Sequence, residues 1–192
     1  MGGRVVVVSG PSGVGKTTVV RHLLATCPLP LKQSVSATTR PPRPGEVDGV
    51  DYHFLSHEEF VRRRHAGEFL ECFEVYGSGY WYGTLAGEVR SGLEAGYWMV
   101  LAIDVHGAFS VVRHYPDAIT IFLRTSSIEE LERRLRARAS DDEASLQRRL
   151  DQARTELALA DWYRFQVIND DLDRAVREIC DILARMGDPK HV

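Results

Sequence analysis

The sequence has little lysine, few cysteines and no marked excess of charge of either sign, and each shortage removes a class of function. Of its 24 basic residues only Lys16, Lys32 and Lys190 are lysine, so arginine supplies nearly every cation and most arginines read as plain surface charge. A formal net charge of −3 lacks the basic excess of a general nucleic-acid binder, and no nucleic-acid partner is expected. Cys27, Cys72 and Cys180 are odd in number and far apart, which suggests neither a disulfide framework nor a zinc site. The first apolar run is only a few residues long, unlike a signal peptide, and no segment approaches the length of a membrane span, so no membrane association is expected and the cytoplasm is the expected compartment. What remains is a chain of 192 residues, 44% hydrophobic, long enough for one domain with a full core.

The strongest positive signal lies near the start. Val5-Val6-Val7-Val8 is an unbroken β-branched run, as in a parallel strand buried on both faces. It leads into Gly10-Pro11-Ser12-Gly13-Val14-Gly15-Lys16-Thr17, which meets every fixed position of the GxxxxGK[ST] phosphate loop, and a helix is expected over Thr17–Ala25. Glycines there let backbone N–H groups converge on phosphate oxygens, and the helix N-terminus adds partial positive charge. Lys16 supplies a cation where the forked, bulkier guanidinium of arginine would not serve as a point charge. Thr17 offers a hydroxyl to Mg2+, and Thr18 continues the loop into the helix. A nucleoside triphosphate is the expected ligand.

Farther along, strands alternate with helices, which favours an α/β fold: a parallel β-sheet core flanked by helices, with a small inserted α+β lobe and a helical lid. Residues 1–33 and 85–125 read as core, 34–84 as the inserted lobe, 126–160 as the lid region and 161–192 as a closing strand and helix. The inserted lobe opens on Ser34 to Glu46, where Pro41, Pro42 and Pro44 brace Arg40 and Arg43 in a rigid exposed loop. Ser56 is placed to cap a helix running to about Ala66, and Glu68–Val75 and Tyr80–Thr84 read as strands around a glycine-rich turn. Trp98–Asp104 reads as a buried strand ending in an acid at the sheet edge where ligands collect, so Asp104 is a candidate metal-supporting residue. Ala118–Leu123 and Phe165–Ile168 read as strands, and Ile128–Arg138, Glu143–Leu159 and Leu172–Met186 as helices.

With those residues in view, the chain resembles guanylate kinases. The resemblance rests on the phosphate loop, on Ser36-Ala37-Thr38-Thr39-Arg40-Pro41-Pro42-Arg43-Pro44-Gly45-Glu46 and on the following stretch to Tyr52. It continues through Glu68-Phe69-Leu70-Glu71, Tyr82-Gly83-Thr84, Ile103-Asp104 and Ile168-Asn169-Asp170-Asp171, and so covers nearly the whole chain in order. It implies transfer of the γ-phosphoryl of ATP to GMP, and to dGMP, with Mg2+ as the metal. ATP and GMP are then the small-molecule partners of a monomer or weak homo-oligomer. In the resemblance Arg40, Arg43, Tyr52 and Tyr82 clamp the GMP phosphate, Glu71 accepts from the guanine edge with help from Ser36 and Thr84, and Asp104 lies beside acceptor and metal. Arg134, Arg138 and Arg149 match lid arginines over the triphosphate, and Asn169 lies on the adenine side. An acceptor that is already a phosphate dianion needs no general base, which agrees with many arginines and no catalytic histidine.

Three positions depart from the family pattern. Ala102 stands where the strand usually carries an acid, His106 stands where glutamine is usual, and the turn Gly77–Gly83 is about two residues longer than the usual form, with Trp81 as an extra aromatic. A modified guanine nucleotide is therefore an alternative acceptor. A non-catalytic guanylate-kinase-like interaction module is a second alternative, against which the retained Lys16 counts.

Overall fold

The computed structural model describes residues 2–74, 79–137 and 143–187. Arg138, Val75, Gly77 and Ser78, which carried parts of the sequence reading, lie outside the described residues. The chain begins with β1 (Val5–Ser9), the phosphate-loop segment and α1 (Lys16–Thr26), then β2 (Leu31–Gln33), β3 (Ala37–Thr38) and β4 (His53–Phe54). Next come α2 (His57–His65), β5 (Phe69–Glu74), β6 (Trp81–Leu85), α3 (Ala86–Glu94), β7 (Trp98–Ala102) and α4 (Val105–His114). The remainder is β8 (Ile119–Arg124), α5 (Ile128–Arg136), α6 (Glu143–Leu157), a short 3-10 turn at Ala160–Trp162, β9 (Phe165–Ile168) and α7 (Leu172–Gly187).

One sheet has the order β2-β7-β1-β8-β9 with every pairing parallel. Successive side chains of a strand point to opposite faces, so the valine run of β1 feeds two cores. Val6 and Val8 join Val19, Val20 and Leu23 of α1 and Ile179 and Leu183 of α7, while Val5 and Val7 join Val89 of α3 and Ala108 and Val111 of α4. Covering both faces is what makes an unbroken apolar strand stable. It also leaves the C-terminal strand ends, with the loops that follow them, as the open edge for ligands.

The second sheet, β4-β3-β6-β5, is mixed: β3 runs parallel to β4 and antiparallel to β6, and β5 is antiparallel to β6. Its own small core is Phe60 of α2, 1% exposed, stacked on Phe69 with ring centroids 4.5 Å apart. Ser56 caps α2 as expected, accepting from the Glu59 N–H at 3.1 Å.

Two helices escaped the sequence reading. Residues 86–94 and 105–114 form α3 and α4, and Asp104 is therefore not the last residue of a strand: it is the N-cap of α4, whose side chain accepts from the Gly107 N–H at 2.7 Å. The strand before it ends at Ala102.

Candidate functional site

The donor side is the loop between β1 and α1. Gly10 has φ 138°, and a Cβ there would run into the Leu123 carbonyl of the neighbouring strand, so only glycine lets the loop leave β1 at that angle. The Lys16 ammonium is folded onto the loop, donating to the Gly10 carbonyl at 2.5 Å and the Pro11 carbonyl at 3.2 Å. The Val14 carbonyl ties in two distant segments: it accepts from Asn169 Nδ2 at 2.8 Å and from Arg134 Nη1 at 3.4 Å. Arg149 of α6 donates to Ser12 Oγ at 2.9 Å. Two of the three arginines expected over the triphosphate thus already touch the loop, while Arg138 lies outside the described residues. A cavity of about 350 Å3 lined by Gly13, Gly15, Thr18, Arg134 and Asn169 adjoins it. Asn169 both lines that cavity and braces the loop.

A second cavity, of about 460 Å3, brings together Thr17, Ser36, Arg40, Arg43, Tyr52, Tyr82 and Ala102. Arg40 is its best-held side chain. The two threonines before it grip β6, because Thr38 Oγ1 donates to the Trp81 carbonyl at 3.0 Å and Thr39 Oγ1 accepts from the Trp81 N–H at 2.9 Å. The guanidinium donates from Nε to the Tyr82 hydroxyl at 3.1 Å, from Nη1 to the Pro41 carbonyl at 2.7 Å and from Nη2 to both Glu46 oxygens at 2.9 Å. The Tyr52 and Phe54 rings flank it at 5.5 and 5.9 Å. Burial works against its charge, but the bonds to Glu46 and Tyr82 outweigh that and hold Arg40 above its ordinary value. Arg43 is exposed and gives its backbone N–H to Glu46 at 2.7 Å; that bond and Arg40 hold the Glu46 carboxyl below the usual range. Glu46 is the partner the sequence reading missed. Its signal was present as an acid three residues beyond Arg43 and six beyond Arg40.

Glu71 and Thr84, both buried, and the half-buried Asp104 do not line that cavity; they form a separate group. Tyr82 and Thr84, two apart on β6, face the same side, so the group lies farther along the strand that carries the Arg40 partner. A bulge at Phe69/Glu71 puts Glu71 directly opposite Thr84, whose Oγ1 donates to Oε1 at 2.6 Å. The other oxygen, Oε2, is buried without a partner among the described residues. Burial, with Asp104 nearby, pushes the Glu71 carboxyl up to about 7 against the opposing Thr84 hydrogen bonds. Although β5 is the edge strand of its sheet, Glu71 is not solvated, being 8% exposed. Asp104 is likewise raised by burial, with the Gly107 N–H, His106 and Lys16 opposing.

Among the described residues no three His, Cys, Asp or Glu side chains converge on a metal position, and no helix is long and apolar enough to cross a membrane. The sequence model of the guanylate kinase family matches residues 2–186. The chain is 54% identical over 183 residues to a guanylate kinase of Rhodopirellula baltica, covering 94% of this chain and 87% of that protein. It is 50% identical over 190 residues to one of Rubrobacter xylanophilus, covering 97% and 98%. A crystal structure of guanylate kinase from Anaplasma phagocytophilum superposes with a TM-score of 0.79 at 32% identity, covering 98% of this chain and 88% of that one.

Proposed function

The chain belongs to the guanylate kinase family, and on that premise we propose that it transfers the γ-phosphoryl group of ATP to GMP, releasing ADP and GDP. Neither a non-catalytic module nor a kinase for a modified nucleotide is favoured beside it. One observation carries the residue-level reading: a buried guanidinium set among phenols, and farther along the same strand a buried carboxylate with one oxygen unclaimed. Those two ends suit a nucleoside monophosphate, whose phosphate takes the guanidinium fork while adjacent N–H donors of a guanine edge share the carboxylate. Adenine offers an acceptor and a donor there and would leave the carboxylate facing an acceptor.

In this reading Arg40, Arg43, Tyr52 and Tyr82 hold the GMP phosphate, with phenols adding hydrogen bonds but no charge. A phosphate oxygen of GMP attacks the γ-phosphorus of ATP, the bond to the β-γ bridging oxygen breaks, and ADP leaves. The acceptor oxygen carries no proton to remove, so the protein's part is alignment and neutralisation of charge. Loop residues 10–18 cradle the triphosphate, Lys16 leaves the Gly10 and Pro11 carbonyls for phosphate oxygens, and Arg134, Arg138 and Arg149 close over it. Asn169 keeps the loop braced on its adenine side. Lid closure excludes water, which would otherwise compete as acceptor. The Thr17 hydroxyl, exposed beside the loop, and the Asp104 carboxylate are oxygen donors of the kind that suit Mg2+. A bound Mg2+ would neutralise charge on the transferring group.

The test is a panel of nucleoside monophosphates with ATP, followed by ADP release. GMP is expected to lead the panel, with dGMP next. Equal or faster turnover of AMP, CMP or UMP would overturn the assignment.

A further inference from the structure

Gly107 is the third residue of α4 and is fully buried. It is not among the glycines with positive φ, so its backbone conformation is one that any residue adopts. Glycine is nevertheless one of the poorest residues inside a helix. The reason for it lies outside the helix. A Cβ on Gly107 would stand 3.1 Å from Glu71 Oε2, 3.2 Å from Glu71 Cδ and 3.2 Å from Asp104 Oδ1. Contacts that close force a neighbour to give way by a few tenths of an ångström. Asp104 is tied to the helix by the Gly107 N–H at 2.7 Å, so its carboxylate has little freedom to retreat. Glu71 accepts at Oε1 from the Thr84 hydroxyl, while its Oε2 has no partner among the described residues.

We infer that Gly107 is a positioning residue that sets base selectivity: its bare α-carbon leaves the slot in which the Glu71 carboxylate lies square to the acceptor base. A methyl group in that slot turns or lifts the carboxylate, so its two oxygens no longer meet two adjacent donors in one plane. The same methyl group also approaches Asp104, but the Gly107 N–H keeps that carboxylate in place, so the effect falls first on Glu71 and on how the acceptor base is bound. The inference rests on the proposed reading of Glu71 as the guanine acceptor.

Gly107→Ala tests it. The expected result is a GMP KM raised about tenfold, the scale of one bidentate base contact, with the ATP KM within about twofold of wild type and the GMP-to-AMP preference reduced by a similar factor. The melting temperature should not fall far, because alanine favours the helix and offsets part of the crowding. A merely structural glycine would instead lower stability and kcat for both nucleotides alike. The decisive comparison adds G107A to Glu71→Gln: if Gly107 acts through Glu71, the second change adds little to the loss of GMP efficiency, whereas full additivity overturns the inference. If G107A does not fold, G107A combined with Glu71→Asp shortens the acid by one methylene and makes room. Recovery of fold and GMP binding supports the inference, and loss of both overturns it. Wild-type protein that ignores GMP would sink the functional reading itself, while wild type that turns GMP over beside an unaffected G107A would sink this inference alone.

Discussion

Glu71→Gln separates a base-reading carboxylate from a carboxylate that only holds the fold. In the wild type Oε1 accepts a hydrogen bond from the Thr84 hydroxyl at 2.6 Å, and Oε2 has no partner among the described residues. Glutamine preserves the shape and the Thr84 bond through its carbonyl oxygen, which leaves an NH2 group where Oε2 stood. That group would face guanine with a donor against a donor. A bidentate base contact carries about 1–3 kcal/mol of discrimination, so kcat/KM for GMP should fall about five- to a hundredfold while AMP loses little or gains. The pH dependence supplies a second reading. The folded carboxyl titrates at about 7 instead of the ordinary 4.5, and only the anion accepts two protons' worth of hydrogen bonds. GMP efficiency in the wild type should therefore drop as pH falls through 7, and that limb should be missing in the mutant. Stability runs the opposite way. The raised value means that the fold favours the protonated acid, so its contribution is fully present below pH 4.5 and is lost as pH rises through about 7. At pH 8 the ionised wild type carries a penalty of roughly 3 kcal/mol, of which glutamine is free, and the mutant should melt higher there but not at pH 4. An unchanged GMP-to-AMP ratio in steady-state assays of both proteins would refute the reasoning and move guanine recognition elsewhere, first to the turn around Trp81.

Two further outcomes are expected. Lys16→Ala should lower kcat by at least about thirtyfold, since the ammonium meets charge that grows in the transition state, while GMP binding by calorimetry and the far-UV spectrum stay as in wild type; near-normal turnover of the folded variant would remove Lys16 from the donor site. An ATP analogue together with GMP should reduce the radius of gyration measured by small-angle scattering more than either ligand alone, because the acceptor residues lie around the second sheet and the lid arginines on α5 and α6; an unchanged radius with both bound would leave the lid arginines without their assigned motion.

The parts of the fold legible in the sequence were those whose signals are local. A β-branched run, a glycine loop with its lysine, and apolar spacing in α7 each declare themselves within a dozen residues. Helices α3 and α4 do not, because Gly87, Gly92 and Gly107 weaken the helical pattern, and the reasons for Gly92 and Gly107 lie in other segments. A Cβ on Gly92 would collide with the Met99 side chain of β7, just as one on Gly107 would crowd Glu71. The site was legible as a set of residue types but not as an arrangement. Glu71 was placed by resemblance and not by its own strand, because the bulge that turns it opposite Thr84 is a property of strand pairing, which one strand's sequence does not contain. Glu46 looked like loop charge because its partner is chosen by how the proline-braced segment doubles back, and an arginine-rich chain offers many candidate partners.

The Arg40–Glu46 fork has a consequence for how an acceptor enters. In the proposed reading an incoming phosphate meets an Arg40 whose Nη2 is already shared between both oxygens of Glu46, so it arrives by exchange with a carboxylate that the protein itself supplies. A dianion outbids a single carboxylate for the guanidinium; a neutral nucleoside has nothing to offer in the trade and leaves the fork closed. Glu46 belongs to the same short loop as Arg43, Val47 and Val50, all of them exposed, and keeps the Arg43 N–H when Arg40 is drawn away. On that reading the charge of the substrate is felt at the rim of the cavity before any chemistry begins.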